Sequence, residues 1–290
     1  MRGGGRDVQI THPEKVLFPD GITKADLAAY YRDVAATMLV HVRDRPISMQ
    51  RFNAGIERGG FFQKDLPRGA PDWIRTVEVP KRGGTVRHVL ANETAALVWL
   101  ANQNCITPHV FTARADRLDR PDRIVWDLDP SGEDEFALVR RTALALGALL
   151  RESGSEPFAM VTGSRGIHVV VAIRRRYGFD AVRDAALAVA EALAERRPGE
   201  LTTAFRKEKR QGRLFLDVNR NGRAQTAVPP YAVRPRPGAP VATPLRWDEL
   251  DDGALRPDGW NLGSVLERLE RDGDPWADIA RSAGGLPRLG

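Results

Sequence analysis

The sequence has one cysteine, few histidines and no long hydrophobic run. Cys105 alone excludes an intrachain disulfide, and five scattered histidines do not form a Cys/His zinc-binding pattern. The longest apolar run, Ala143 to Leu150, is much shorter than a membrane span, and residues 1–7 lack the apolar segment of a signal peptide. These absences exclude disulfide scaffolds and membrane proteins, and we expect a soluble, cytoplasmic protein.

The length of the chain limits the number of domains, and its charge distribution indicates the kind of partner. A chain of 290 residues, 42% of them hydrophobic, is long enough for a substantial core and lies at the upper edge of a single domain. Residues 248–290 carry ten acidic side chains against five arginines, so the first 247 residues carry a net charge of +11 within a total of +6. Arginine runs at 174–176 and 206–213 suit phosphate oxygens and indicate a nucleic-acid partner, although genomic codon bias also produces arginine-rich proteins.

The hydrophobic periodicity predicts an α+β protein. Thr23 and Asp26 form the capping signature of a helix that ends near Leu39. Further helices are predicted at about 92–104, 135–151, 179–196 and 262–271, and strands at 46–50, 75–79, 86–90, 123–129, 157–162, 167–173 and 213–218. The irregular alternation predicts one domain with two lobes. The proline-rich segment 225–245 is predicted to be extended, as a linker or as part of a site.

Three aspartates at predicted strand ends suggest a divalent-metal site. Asp127 and Asp129 close the run 123–129, and Asp217 ends a similar apolar run. Alternate strand residues share a face, so Asp127 and Asp129 converge on one spot, where their mutual repulsion favours a hard cation such as Mg²⁺ or Mn²⁺. The competing interpretation is a strand that enters a solvated Asp-Pro turn.

Other residues near these carboxylates suit a phosphorylated ligand. The glycine-rich turn 162–168 offers backbone amides, Ser164, Arg165 and His168 to a phosphate, although it also reads as an ordinary hairpin connection. Arg220 follows the third aspartate closely, where its charge suits triphosphate oxygens. His109 reads as a structural histidine in a strand-like run.

The N-terminal part of the chain contains features that suit DNA. Lys15 and Lys24 lie near a predicted helix N-terminus, where they could hold a terminal phosphate, although the sequence alone favours a solvated lysine pair. Phe52, Phe61 and Phe62 flank a Gly-Gly loop beside Arg51 and Lys64. Aromatic rings interleaved with cations stack on bases, but core packing is expected for two of the three rings.

Taken together, five ordered motifs resemble the polymerase domain of bacterial DNA ligase D, in the archaeo-eukaryotic primase superfamily. The motifs are His12-Pro-Glu-Lys15, Gly60-Phe-Phe-Gln-Lys64, Trp126-Asp-Leu-Asp-Pro130, Gly163-Ser-Arg-Gly-Ile-His168 and Phe215-Leu-Asp-Val-Asn219. The resemblance covers nearly the whole chain. It implies a primase-like catalytic core with two β-sheets flanked by helices, over residues 7–285, with flexible ends at 1–6 and 286–290.

The resemblance also implies a function, a set of site residues and partners. The function is template-directed nucleotidyl transfer that fills gaps and extends DNA ends in non-homologous end joining, with a preference for ribonucleotides. The carboxylates would bind two metal ions, preferably Mn²⁺ and otherwise Mg²⁺. The implied contacts are Asp127, Asp129 and Asp217 for metals and catalysis; His109, Ser164, Arg165, His168, Arg220, Gln225 and Arg234 for the nucleotide; Lys15 and Lys24 for a DNA 5′-phosphate; and Phe52, Phe62, Lys64 and Arg87 for template or DNA.

The implied partners are DNA ends with a 5′-phosphate, NTP or dNTP, a DNA ligase and the bacterial end-binding protein Ku. The chain would act near the nucleoid, as a monomer or a DNA-bridged dimer. Three other functions stay open from sequence: a primase that starts chains de novo, a DNA-end-binding or synapsis module with incidental polymerase activity, and a sugar-nucleotide transferase. The last leaves Asp217 and the basic body unexplained.

Overall fold

The computed structural model describes residues 1–132 and 135–289. These residues form two compact units, in agreement with the two predicted lobes. Unit 1 comprises Met1–Leu118, Thr226–Ala242 and Trp260–Gly273, and unit 2 comprises Asp119–Gln225, Thr243–Gly259 and the chain from Asp274 onward. Each unit has its own mixed or antiparallel sheet with helices, so the α+β class is confirmed.

The α-helices in the described part of the chain match the predicted ones except at one point. They are α1 (Lys24–Asp33), α2 (Ala35–Val42), α3 (Thr94–Asn102), α4 (Phe136–Glu152), α5 (Phe179–Arg196) and α6 (Ser264–Asp272). The capping box of Thr23 and Asp26 opens α1 as predicted. The single helix expected up to Leu39 is wrong, because the helix ends at Asp33 and α2 begins after Val34. None of the described helices has the length and apolar character needed to cross a membrane.

The strands include several short ones that the sequence did not indicate. In chain order they are β1 (Arg2–Gly3), β2 (Arg6–Asp7), β3 (Ile47–Arg51), β4 (Phe61–Gln63), β5 (Thr76–Lys81), β6 (Gly84–Val89), β7 (Cys105–Phe111), β8 (Ala113–Arg114), β9 (Arg117–Pro121), β10 (Arg123–Asp129), β11 (Pro157–Val161), β12 (Ile167–Ala172), β13 (Leu201–Thr202), β14 (Leu214–Asp217), β15 (Thr226–Ala227) and β16 (Thr243–Leu245).

The sheet of unit 1 has the order β15-β7-β3-β6-β5, and β4 pairs with β3. The pairings are antiparallel, and α3 packs against both β7 and α1. Strand β3 is buried from Ile47 to Met49, whereas Gln50 and Arg51 at its end are half-buried. Gln50 therefore lies where this strand approaches the surface.

The sheet of unit 2 has the order β13-β14-β10-β12-β11-β16. The central strand β10 is antiparallel to both β12 and β14, and α4 and α5 pack against the sheet. The indole of Trp126 donates a hydrogen bond to the Ala186 carbonyl of α5, so the even-numbered residues of β10 face the helices. Because strand residues alternate, Asp127 and Asp129 lie on the opposite face.

Two chain segments differ from their predicted character. The first residues were expected to be flexible, but β1 and β2 form a hairpin in which Gly3 packs against the backbone of Ala95. Of the end predicted to be flexible at 286–290, Gly290 lies outside the described residues. The proline-rich segment 225–245 was expected to be extended, but it folds back on itself in an antiparallel bridge between Val233 and Val241. It is not a linker, because Tyr231, Val233 and Val241 are buried.

Candidate active site

Three adjacent strands of unit 2 place acidic and basic side chains in one row. Asp127 of β10 pairs directly with Asp217 of β14 on one side and with His168 of β12 on the other. Residues directly opposite each other in an antiparallel pair lie on the same face, with Cβ atoms about 5 Å apart. Asp129, two residues along β10, lies on this face as well. The row Asp217–Asp127–His168, with Asp129 beside it, is the centre of the candidate site.

Asp127 is held as a carboxylate by two basic neighbours. His168 Nε2 lies 3.4 Å from Asp127 Oδ1, and Arg220 Nε lies 3.4 Å from Oδ2. Burial by itself would raise the pKa of Asp127, but the interactions with His168 and Arg220 outweigh burial and hold that pKa well below the usual aspartate range. The aspartate is therefore anionic near neutral pH.

Asp129 is also placed between two cations. Arg165 Nη2 lies 3.3 Å from its Oδ1, and Arg210 Nη1 lies 3.2 Å from its Oδ2. The guanidinium of Arg210 stacks 3.9 Å from the centre of the Phe215 ring. Asp217 differs from the other two, since its Oδ1 accepts hydrogen bonds from the backbone and side-chain amides of Asn219, at 2.8 and 2.6 Å.

The donor set fits a hard divalent cation, although the side chains do not enclose one as placed. Within residues 1–132 and 135–289, no group of three His, Cys, Asp or Glu side chains converges closely enough to hold a metal ion. The carboxylates are instead directed at the arginines, the histidine and Asn219. The strand register nevertheless puts three carboxylates on one face, and carboxylate oxygens are the ligands that Mg²⁺ and Mn²⁺ prefer.

The glycine-rich turn brings its basic residues to this row. The Thr162 amide and hydroxyl both bond the Gly166 carbonyl, which closes the turn between β11 and β12. Gly163 has φ +64°, and a Cβ on Gly166 would lie 2.2 Å from the Leu128 carbonyl oxygen. The turn therefore approaches the end of β10 more closely than a side chain would allow. Ser164 lies in this turn, and Arg165 reaches Asp129.

Unit 1 contains a separate group of predicted nucleotide and template residues. His109 Nε2 lies 3.2 Å from Gln50 Oε1, and the Phe62 ring stacks edge-on against the His109 ring at 5.1 Å. Phe61 and Phe62 are exposed, 46% and 54% respectively. Phe52 is only 6% exposed and its ring packs against Gly60, so the predicted template contact of Phe52 is corrected to a supporting role under the Gly-Gly loop.

The two N-terminal lysines lie together in unit 1. The Lys24 amide donates to the Lys15 carbonyl at 2.8 Å, so the two residues are backbone neighbours. Lys15 Nζ donates to the Asn53 carbonyl, and Lys24 Nζ donates to the Thr11 carbonyl at 2.6 Å. Burial lowers the pKa of Lys24, and the positive charge of Lys15 lowers it further. Such a pair gains from a bound anion.

The remaining predicted site residues differ in exposure and in their backbone hydrogen bonds. Lys64 and Arg87 are exposed, and the Arg87 amide donates to Asp65 Oδ1 at 3.0 Å, which joins the loop after β4 to β6. Gln225 is exposed at the end of unit 2. Arg234 is half-buried in unit 1, where its amide donates to the Pro240 carbonyl at 2.7 Å.

Sequence reasoning overlooked several residues that the structure brings to these groups. Arg210 was interpreted only as part of a general basic run, Asn219 only as the last residue of the motif that contains Asp217, and Gln50 and Asn221 carried no recognisable pattern. Arg210 lies seven residues before Asp217. This spacing indicates a site residue only when the turn between β13 and β14 is known. The side-chain amides had no sequence signal, because their roles come from the fold.

Comparisons with known proteins agree with this geometry. The family model described as "LigD, primase-polymerase domain" matches residues 23–276. The multifunctional non-homologous end joining protein LigD of Mycolicibacterium smegmatis is 32% identical over 279 residues, which cover 95% of this chain and 36% of that protein. The Pseudomonas aeruginosa protein of the same name is 34% identical over 285 residues, covering 96% of this chain and 34% of that protein.

A solved structure of the polymerase domain from Mycobacterium tuberculosis ligase D in complex with DNA has a TM-score of 0.86 and 32% identity to this chain. The match covers 96% of this chain and 99% of that one. The chain spans about a third of the length of the curated relatives described above. These matches confirm the resemblance found in the motifs. The chain belongs to the family of the LigD primase-polymerase domain.

Proposed function

We propose that this chain is a template-directed nucleotidyltransferase that fills gaps and extends DNA ends in non-homologous end joining. The observation that carries the proposal is the row Asp217–Asp127–His168 across three adjacent strands, with Asp129 on the same face. Three carboxylates beside several basic groups suit a reaction in which a triphosphate is bound and pyrophosphate departs. The relatives are named as end joining proteins, which suggests the biological setting.

Membership of the family implies a divalent metal requirement, and we assign two ions, preferably Mn²⁺, to Asp127, Asp129 and Asp217. When bound, such ions supply positive charge to the attacking and leaving oxygens of an in-line displacement. Asp127 is ionised before any ion arrives, since its pKa is held low by His168 and Arg220. The arginine partners of Asp127 and Asp129 would then be released to the nucleotide phosphates.

The basic side chains around the aspartates would bind the incoming nucleotide. Arg165 and Arg220 each contact one aspartate now, at 3.3 and 3.4 Å, so each lies within side-chain reach of a triphosphate bound beside the carboxylates. Guanidinium groups bind phosphate oxygens in pairs of parallel hydrogen bonds. His168, Ser164 and Gln225 of unit 2 are assigned to the same nucleotide, with ribonucleotides preferred. For His109 and Arg234 of unit 1, nucleotide binding stays a prediction from the family resemblance.

Unit 1 would bind DNA. Lys15 and Lys24 are assigned to the 5′-phosphate of the downstream strand. The two lysines are neighbours, and the pKa of Lys24 is lowered by burial and by the charge of Lys15, so Lys24 gains from a nearby dianion. The exposed rings of Phe61 and Phe62 are assigned to template bases, with Lys64 and Arg87 on the backbone. Phe52 is left as a support of this loop because it is buried.

The partners follow from the same proposal. The chain would act on DNA ends beside a DNA ligase and a Ku-type end-binding protein, as a monomer or as a dimer bridged by DNA. The β5–β6 hairpin, with exposed residues from Lys81 to Thr85 at its tip, supplies a surface for joining two ends. De novo priming would use the same aspartates, so the products formed without a primer decide between the two activities.

The proposal is tested with a one-nucleotide gapped duplex, with and without a 5′-phosphate on the downstream strand. Incorporation is compared for NTP and dNTP, each with Mn²⁺ and with Mg²⁺. We expect template-dependent incorporation that is fastest with a ribonucleotide, Mn²⁺ and the 5′-phosphate. An absence of incorporation under all conditions would contradict the proposal, and products formed equally well without a primer would favour priming.

A further inference from the structure

The side-chain amide of Asn221 takes the place of a strand beside β10. β14 pairs with β10 from Asp127 to Asp129, and the chain then leaves the sheet in the 3-10 turn Asn219–Asn221. Two residues before Asp127, the Val125 amide donates to Asn221 Oδ1 at 2.8 Å, and Asn221 Nδ2 donates to the Val125 carbonyl at 2.7 Å. These two bonds reproduce the donor and acceptor pair that a neighbouring strand residue would provide.

Asn221 also fixes the turn from the inside. Its Nδ2 donates to the Val218 carbonyl at 2.9 Å, and its own backbone amide donates to the same oxygen at 3.1 Å. Asn221 is 0% exposed, so these bonds form away from water. A buried peptide group that loses its hydrogen-bond partner is destabilising, and loss of the Asn221 side-chain amide would leave the amide and the carbonyl of Val125 in that state.

The turn that Asn221 anchors contains side chains of the candidate site. Asp217 immediately precedes the turn, and Asn219 bonds Asp217 Oδ1 through both its amides. Arg220, within the turn, contacts Asp127 Oδ2. The anchor on Val125 therefore sets the position of Asp217 and Arg220 relative to Asp127. The side-chain hydrogen bonds of Asn221 go to the backbone of Val125 and Val218, and not to a carboxylate.

We propose that Asn221 is a positioning residue for the nucleotidyl-transfer site: it holds the backbone of Asp217 opposite Asp127, in the strand register that puts both carboxylates on one face for a divalent ion. The inference rests on the proposed function for the identity of the site. It differs from a general stabilising role, because it predicts a defect in metal binding that high metal concentration overcomes.

The test uses Asn221→Ser, which keeps a small polar group, and Asn221→Ala, which removes all side-chain hydrogen bonds. Mn²⁺ binding is measured without DNA or nucleotide, by loss of the free-ion signal in electron paramagnetic resonance. We expect the Mn²⁺ dissociation constant to rise about 10–100-fold, as for lost supporting contacts at metal sites, more for Ala than for Ser. Gap filling should require correspondingly more Mn²⁺ and recover toward the wild-type rate at saturation.

Asn92→Ala is the matched control. Asn92 makes a comparable pair of hydrogen bonds in unit 1. Its Oδ1 accepts from the Asp44 backbone amide at 2.8 Å, and its Nδ2 donates to Asp44 Oδ1 at 2.5 Å. This variant should lower Tm without changing Mn²⁺ binding. All variants should bind the 5′-phosphorylated gapped duplex within about twofold of wild type, because Lys15 and Lys24 belong to unit 1.

Three results would overturn the inference: wild-type Mn²⁺ binding in both Asn221 variants, an activity loss that saturating Mn²⁺ does not restore, or unfolding of both variants, which would make Asn221 a folding residue. Failure of the proposed function has a different signature. In that case the wild-type chain itself would not incorporate nucleotides. The Mn²⁺ dissociation constants of wild type and the Asn221 variants could still be compared.

Discussion

Asp127 shows how its surroundings keep a single buried carboxylate ionised. The residue pairs with His168 and Arg220, which hold its pKa well below the usual range in spite of burial. A carboxyl group whose folded-state pKa is lowered contributes stability above its unfolded pKa and loses that contribution as pH falls through the folded value. The pairs therefore favour folding at neutral pH, and they keep the site anionic there.

Lys24 is expected to make binding of the DNA 5′-phosphate depend on pH. Its pKa is lowered from 10.5, mainly by burial and then by Lys15, and phosphate is bound by the protonated form. The preference for a 5′-phosphorylated gap should therefore decline with rising pH, beginning below the pH at which an ordinary lysine titrates. Fluorescence anisotropy of phosphorylated and unphosphorylated gapped duplexes between pH 7 and about pH 10 measures this decline.

A charge deletion tests the same lysine. Lys24→Met should reduce the preference for the phosphorylated duplex about tenfold or more, since a charge-assisted hydrogen bond contributes about 1.5–3 kcal/mol. Arg256→Met removes an equal charge from an exposed side chain of unit 2, where Arg256 pairs with Asp258, and should leave the preference unchanged. An equal loss in both variants would mean that only net charge matters, and the phosphate assignment would be wrong.

Cys105 is expected to be inert in the folded protein. The thiol is 0% exposed, and burial raises its pKa to about 12, so the reactive thiolate is scarce near neutral pH. A thiol reagent at pH 8 should therefore label the native chain negligibly over an hour and label it stoichiometrically in guanidinium chloride. Complete labelling of the native protein at the denatured rate would contradict the placement of β7 in the core.

The turn between β11 and β12 is the element most sensitive to a single methyl group. A Cβ at Gly166 would lie 2.2 Å from the Leu128 carbonyl oxygen, which is backbone and cannot move aside without shifting β10. Gly166→Ala should lower the free energy of unfolding by about 1–3 kcal/mol or more. It should also slow incorporation, because β10 carries Asp127 and Asp129. Urea unfolding and the gap-filling assay measure the two effects.

Gly199→Ala provides the control for this change. A Cβ at Gly199 would meet no atom within 4 Å, so the substitution should leave stability and incorporation near wild type. If Gly166→Ala behaves like Gly199→Ala in both assays, the close approach of the turn to β10 is wrong.

Elements with a strong local pattern were predictable, and those defined by distant pairing were not. The strands that carry the aspartates, 123–129 and 213–218, were predicted nearly at their observed bounds, because apolar runs end there at polar residues. In contrast, β13 and β16 consist of two and three residues and exist only because β14 and β11 pair with them. The break at Val34 between α1 and α2 had no glycine or proline to signal it.

Some residues of the candidate site were likewise predictable from local motifs, whereas others depend on pairing between distant parts of the chain. The three aspartates and the Gly163–His168 turn were identifiable from motifs, and the strand register then brings Asp127, Asp217 and His168 into one row. Arg210 and Asn221 could not be assigned, because their contacts depend on where β14 pairs and where its chain turns. Burial of Phe52 was likewise decided by packing against Gly60 rather than by its own sequence context.

Across the whole molecule, separate parts of the chain are assigned to separate steps. The carboxylates and most residues assigned to the nucleotide belong to unit 2, whereas the lysines assigned to the 5′-phosphate and the exposed phenylalanines belong to unit 1. The assignment predicts that substitutions in one group leave the other group's binding intact, since the two groups share no strand or helix. The central claim is that the strand-end carboxylates perform the transfer and do not contribute to DNA binding.

One paired measurement tests this claim most directly. Asp127→Asn, Asp217→Asn and wild type are compared for Mn²⁺-dependent incorporation into a 5′-phosphorylated gap and for affinity toward the same duplex. We expect incorporation to fall by more than about 100-fold in each variant, because a metal-ligating carboxylate is lost, while duplex affinity stays within about threefold. Incorporation at the wild-type rate by either variant, or loss of duplex affinity in parallel with activity, would contradict the account.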